Sequence, residues 1–533
     1  MNVSLHGFRG PLAAALEGEL TRRGHLTRWE EDGSDCAVVM PGPTGEVKSM
    51  PAARRLVLRS HAYAYGADPK NPGMMTEERV SLLDANSPER RWLRMEEAAV
   101  AANPNHAAIR LTNVLAPQEG DVLVAKLASR SATLLAGHDP NLQFISLSDA
   151  ARALASACEG SATGIFNATG TGAIPLKKAF GAAGVSRRPV MDELAGLFGI
   201  AESDRIRYNW TVSGDRAARE LGFRPEHSTS QALAQFLAGR PGAHPETLKP
   251  AHDDWGLDVD YIRAWSGWFS ILRRFYWRME FEGMENIPET GKALFVSNHR
   301  GFMPLDAVMH LFSVLHYRRR IIRFLITHTL VRKPFLCSFL AKLGGVIANM
   351  ENAQRLFDEG NLVGLFPEGI RGTFQPYKQT HQLRDFSKSG FAQMAIENQA
   401  PVIPVAVVGH AEIFPILARI DWSYITREWG WPYFPIAPMF PLAPVPLPSK
   451  WHVRVLKPIG MEGLRKEDAQ NPRLMKEFSR YVQAMMQEQI LDLAARRKHI
   501  FWGKILDGTA PKVAPFEAKR SAAAGAAAAI EVR

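Results

Sequence analysis

Short runs of β-branched residues alternate with Ala/Leu-rich segments of helical spacing along nearly the whole 533-residue chain. One polar interruption, GRPGAHPETLKPAHDD at 239–254, breaks the alternation. Strand-then-helix alternation has few solutions, because each strand is buried on both faces only if helices cover a parallel sheet. A chain of this length exceeds one ordinary core, so the interruption reads as a linker between two α/β domains. The expected layout is 1–238, linker 239–254, a second domain over 255–505, and a low-complexity Ala-rich tail over 506–533.

In the first half the candidate strands are 35–40, 55–59, 107–111 and 143–147, with a presumed short strand near 26–29. In the second half they are 293–297, 362–366 and 402–408, and a helix over about 473–497 closes the fold. Tyr261, Trp265, Trp268, Phe269, Leu272 and Tyr276 recur at helical spacing opposite Arg263, Ser270, Arg273 and Arg274, which predicts an amphipathic helix.

Charge is uneven: residues 1–250 carry a net +1 and residues 251–533 a net +9. A basic second half suits an anionic partner, whether nucleic acid, a phosphate-bearing substrate or an acidic membrane surface. The basic residues are scattered among apolar runs with no recognised nucleic-acid-binding module, which argues against nucleic acid. Cys36, Cys158 and Cys337 are far apart and form no Cys/His cluster, so neither a disulfide framework nor a metal site is expected, and a reducing cytoplasm is the default. The N-terminus lacks a signal-peptide layout, and no window offers 18 consecutive apolar residues. Lipid contact would therefore be peripheral, on the inner face of the membrane. The basic-apolar run at 317–335 and the Trp- and Pro-rich segment at 427–451 are its candidate surfaces, the latter equally readable as a loop packed on the core.

The segment ALFVSNHRGFMPLDAVMH (293–310) sets a buried strand, then His299, then a Gly/Pro turn, then Asp306 opening a helix. Among 16 histidines, one near an aspartate means little by itself. Its place is the signal, since α/β domains put function at the carboxyl ends of strands. Making an ester from an alcohol needs a base that titrates near neutrality, and a carboxylate on the far ring nitrogen fixes its tautomer. The substrate alcohol then replaces any enzyme nucleophile. Further on, NLVGLFPEGIRGTF (361–374) runs a strand into Glu368, Gly369 and Arg371, where glycine and guanidinium together suit a phosphate. APVIPVAVVG (400–409) reads as another core strand.

In that order, over about 261–503, these motifs resemble the phospholipid/glycerol acyltransferase superfamily. The resemblance implies His299 as general base, Asp306 as its partner, and Glu368, Gly369 and Arg371 as acceptor-binding residues. It implies an acyl thioester donor, acyl-CoA or acyl-carrier protein, no metal, and no cofactor for the transfer. Six residues separate His299 from Asp306 where the family usually has four. This spacing resembles a bacterial branch related to the mono- and diacylglycerol acyltransferases. The family's intermediate motif usually supplies an arginine, and LGGVIANMENA (343–353) has none. A lysophospholipid such as 1-acylglycerol 3-phosphate is the first acceptor to consider, and mono- or diacylglycerol the second.

In the first half, Gly7, Gly10 and Ala13 open a helix after a short strand, and Glu30 lies 20 residues past Gly10. That is a dinucleotide fingerprint. With the segments at 54–66, 107–117, 143–154 and 214–225 it resembles the extended short-chain dehydrogenase/epimerase family. The resemblance implies NAD(P) binding through Gly7, Gly10, Ala13 and Glu30. The family's Tyr and Lys are missing from the matching helix, SPERRWLRMEEAAVAA, and only Ser60 of its active site is in place. The expectation is a degenerate module, with retained nicotinamide binding, or an epimerase/reductase bearing a lipid-binding appendage, as the alternatives.

Overall fold

A computed structural model describes residues 1–43, 50–195, 203–248, 253–387, 390–442 and 445–506. Contacts divide the chain into two units, Met1–Val259 with Thr327–Ile347, and Asp260–Ile326 with Ala348 onward. Both are α/β.

The first unit is built on six strands: β1 (Asn2–Gly7), β2 (Leu26–Trp29), β3 (Ser34–Met40), β4 (Ala53–His61), β5 (His106–Leu111) and β6 (Gly164–Ala168). They run parallel in the order β6-β5-β4-β3-β1-β2, a Rossmann-like sheet. Helices α1 (Pro11–Arg22), α2 (Arg90–Ala102), α3 (Val122–Ala128) and α4 (Leu147–Glu159) follow. Leu12, Leu16 and Leu20 of α1 pack with Ala150, Ala153, Leu154 and Ala157 of α4 over Val3, Leu5, Val38 and Ile109 of the sheet. The strand expected at 143–147 is instead two short bridging strands, Asn141–Leu142 and Phe144–Ile145. The chain turns there because Ser146 caps α4, its hydroxyl accepting the Asp149 N–H at 3.0 Å.

The described part of the 239–254 stretch lies on this unit. Arg240 donates to the carbonyls of Leu127 and Ala128, and Leu248 joins the apolar core. The expected tail lies outside the described residues from 507 onward.

The second unit carries β7 (Glu280–Glu282), β8 (Ala293–Ser297), β9 (Ile322–Ile326), β10 (Leu362–Leu365), β11 (Val402–Val408) and β12 (His452–Val455). Among these strands the order is β7-β12-β11-β8-β10-β9. All neighbours are parallel except the β11–β12 pair, so the sheet is mixed. Its helices include α5 (Val259–Ile271), α6 (Leu305–Arg318), α7 (Gly369–Thr373) and α8 (Pro472–Arg496). Among the described residues no helix is long and apolar enough to cross a membrane.

On helix α5 the expected face is buried or half-buried except at Trp268. Ile262 and Phe269, seven residues apart, are its buried positions, with Phe269 stacked on Phe312 at 4.5 Å. Residues Leu272–Tyr276 then widen into a π-helical turn, which breaks the 3.6-residue period. Trp268, Ile271 and Phe275 face outward, 53%, 50% and 64% exposed.

Candidate active site

Strand β8 is buried throughout and lies between β10 and β11, so its carboxyl end opens beside two parallel neighbours. Ser297 pairs with Val405, and the next residue continues the ladder with its side chain. The Asn298 amide accepts the Val407 N–H at 2.9 Å and donates to the Val407 carbonyl at 3.0 Å. That clamp sets the direction in which His299 leaves the sheet.

Between His299 and α6, Gly301 takes a φ of +75°, which lets the six-residue loop double back. Asp306 falls in the first turn of α6, fully buried, and its Oδ2 lies 2.6 Å from His299 Nδ1. Its carboxylate also accepts the N–H groups of Arg300 at 3.3 Å and Ala307 at 2.8 Å, which pins it in place. With Nδ1 committed, Nε2 is the nitrogen left to face a substrate, and it bonds to none of the described residues. The His299 side chain is 15% exposed, so this nitrogen is reachable.

Phe366, just past β10, stacks on the His299 ring at 4.0 Å and 15°, and Phe324 stacks on the other side of Phe366 at 5.3 Å. Gly364 makes room for this: a Cβ there would stand 2.6 Å from Ile322 and 2.7 Å from Phe324. Two residues on, Glu368 is buried and accepts the His299 N–H at 3.2 Å, Arg300 Nη1 at 2.6 Å and the Arg384 N–H at 2.8 Å. Arg300, 1% exposed, gives three more N–H groups to the carbonyls of His299, Thr380 and Gln382. Glu368 and Arg300 therefore tie the two motifs together and hold the His299 backbone.

His299, Asp306 and Glu368 thus form one cluster. Gly369 begins α7 with a φ of +54°, and a Cβ on Gly372 would lie 3.2 Å from the His299 carbonyl, so α7 abuts the loop. Arg371 is exposed on α7 and hydrogen-bonds to none of the described residues. Sequence reasoning missed Asn298, Arg300 and Phe366. Their signal was adjacency: Asn298 and Arg300 flank His299, and Phe366 opens the Phe366–Gly369 turn that carries Glu368.

Three residues past His299, Phe302 is buried among Phe440 at 4.6 Å, Phe414 at 5.0 Å and Trp431 at 5.9 Å. Phe374 extends the group to Trp431 at 5.2 Å. The 427–451 segment divides accordingly: Tyr433, Ala437 and Trp451 are buried, while Trp429, Met439 and Leu442 are exposed. The loop after His299 is thus anchored in a buried aromatic cluster.

His310, one turn beyond Asp306 on α6, is buried with Nε2 3.2 Å from Ser297 Oγ. Burial pushes its imidazole down to about 4, Asp306 opposing and His299 reinforcing the shift. The unfolded chain therefore binds this proton first. The stability it contributes is complete above about pH 6.5 and is lost as pH falls toward 4, on the order of 3 kcal/mol. Urea unfolding between pH 4.5 and 7 should show stability rising with pH, and His310→Asn should remove one proton's worth of that slope. An unchanged slope would count against the assignment.

In the first unit, Gly7 ends β1 with a φ of +100° and Gly10 is the N-cap of α1. Ala13 is buried in α1, and Glu30 sits exposed just past β2 with a φ of +55°. All four lie at the carboxyl edge of β1 and β2 or on the helix that starts there. Ser60 does not face a cleft: it donates to Glu96 at 2.6 Å, and Glu96 is bound in turn by Arg110 at 2.8 and 2.6 Å. Asp149, Glu226 and His227 bring ligand-type atoms within 4.8 Å of one another. Asp149, however, is engaged by Arg152, by the backbone N–H groups of 226 and 227 and as the partner of the Ser146 cap.

Residues 278–408 match the family model for Acyltransferase. An uncharacterized Mycobacterium leprae protein is 34% identical over 286 residues, 51% of this chain and 76% of that one. The Bos taurus "DGAT1/2-independent enzyme synthesizing storage lipids" is 27% identical over 202 residues, 37% of this chain and 57% of that protein. Among solved structures, UDP-glucose 4-epimerase of Thermotoga maritima is 12% identical with a TM-score of 0.37, over 44% of this chain and 97% of that one. A human epimerase family protein solved with NADPH is 15% identical with a TM-score of 0.35, over 45% of this chain and all of that one.

Proposed function

The chain belongs to the acyltransferase family through its domain at 278–408, and on that premise we propose that it transfers a fatty acyl group from a thioester to a lipid hydroxyl. The observation that carries this reading is the His299–Asp306 pair, with Nδ1 held at 2.6 Å and Nε2 open to a substrate. Nε2 removes the acceptor's hydroxyl proton as that oxygen bonds to the thioester carbonyl carbon. The tetrahedral intermediate collapses, the C–S bond breaks, and the imidazolium returns its proton to the departing thiolate. Ester and free thiol result. Asp306 stabilises the imidazolium in between. The donor is acyl-CoA or acyl-carrier protein, and the transfer uses no metal or redox cofactor.

A neutral acceptor such as mono- or diacylglycerol is the reading the surroundings favour. The loop that carries His299 is anchored by Phe302 in an aromatic cluster, the ring stacked on His299 is the apolar Phe366, and Arg300 is engaged inside the protein. The storage-lipid name of the bovine relative points the same way. The lysophospholipid acceptor that leads from sequence becomes the second reading, supported by the exposed Arg371 beside the loop. Peripheral contact with the inner face of a membrane fits the outward Trp268, Ile271 and Phe275 beside Arg273 and Arg274. Free-thiol release from acyl-CoA should depend on added monoacylglycerol or diacylglycerol, with radiolabel appearing in the neutral ester. Turnover of 1-acylglycerol 3-phosphate should be at least about tenfold slower, about 1.4 kcal/mol of discrimination. The reverse ranking would select the second reading, and no release with any lipid would end the proposal.

A further inference from the structure

We infer that the phosphate slot of the first unit is filled by its own Glu119, so that this Rossmann-like unit takes no dinucleotide in its native state. A dinucleotide-binding sheet places the pyrophosphate at the N-terminus of the helix after its first strand, where glycines let phosphate approach and free N–H groups bind it. Here that helix is α1, where the Leu12 N–H and the space beside Gly10 are already taken.

Pro11 opens α1 and brings no N–H. The next donor, the Leu12 N–H, is given to Glu119 Oε1 at 2.9 Å. The space beside Gly10 is occupied as well: a Cβ there would stand 2.2 Å from the Phe8 ring and 2.5 Å from Glu119 Oε1. Gly10 therefore admits the chain's own side chains where the fingerprint would admit a ligand. Glu119 ends a short turn, Pro117–Glu119, and is 3% exposed. Its other oxygen is 3.8 Å from Arg59 Nη2, and Arg59 is itself buried with its Nε unpartnered among the described residues. The carboxylate has thus taken both roles of a phosphate, acceptor at the helix N-terminus and counter-ion to a buried arginine. An entering pyrophosphate would have to displace a buried anion and would be repelled by it. The reactive groups are missing too, since Ser60 is bound to Glu96 and α2 carries neither Tyr nor Lys. The residues present do not fit a nicotinamide dinucleotide.

The test uses the full-length protein. NADH and NADPH fluorescence titrations should show no saturable binding up to about 1 mM, a ligand free energy weaker than about −4 kcal/mol. Saturable binding by the wild type within that range overturns the inference. Melting followed with added inorganic pyrophosphate supplies the second readout. Glu119→Ala should melt several degrees below wild type, and millimolar pyrophosphate should restore part of the loss in the variant while leaving wild type unmoved. An unchanged melting temperature for Glu119→Ala, or a wild type raised by pyrophosphate as much as the variant, would show that the carboxylate is not the stand-in. Should Glu119→Ala fail to fold, Glu119→Gln, which keeps the shape and removes the charge, is judged by the same criteria.

Discussion

His299→Ala should lower lipid-dependent thiol release by about a hundredfold to ten-thousandfold, the range a positioned general base supplies. Removing it leaves the thioester and the alcohol without a proton acceptor, whereas binding of either should change little. The loss is therefore expected in kcat, with KM for the acceptor within about threefold of wild type. The imidazole is partly exposed and Asp306 keeps its two N–H partners without it, so the fold should survive. Equal rates for the variant and wild type would remove His299 from the mechanism. A large rise in KM with kcat intact would make it a binding residue.

Glu368 is the second position where a large effect is expected, and here two roles diverge. The sequence motif points to acceptor binding. The geometry ties both carboxylate oxygens to Arg300, to the His299 N–H and to the Arg384 N–H. Removing one partner of a buried ion pair strands the other, at a cost of about 3–5 kcal/mol. Glu368→Ala should destabilise the second unit by that order, and Arg300→Met with Glu368→Leu should recover much of it. In Glu368→Gln the shape is kept but an amide N–H2 must face the Arg384 or His299 N–H. That variant should lose kcat and stability together while KM for the acceptor stays put. A rise in acceptor KM with unfolding by urea unchanged would return Glu368 to the substrate.

Why Glu368 looked different from sequence follows from its distance along the chain. His299 and Asp306 are seven residues apart, and a glycine able to take positive φ lies between them, so strand, turn and helix propensities alone bring them together. Glu368 meets Arg300 across 68 residues, and only the β8–β10 register decides that meeting. The aromatic cluster is longer in range still, because Phe302 finds Trp431 and Phe440 through packing that no local pattern encodes.

Alternation of β-branched and helical segments determined two α/β sheets, since strands buried on both faces must be covered by helices, and short-range order set the His299–Asp306 pair. The tertiary structure decided which donors and acceptors found each other. Arg300 was claimed by Glu368, and the α1 N-terminus by Glu119 from 107 residues away. A buried polar group must find a partner, but its own sequence neighbourhood does not specify which one.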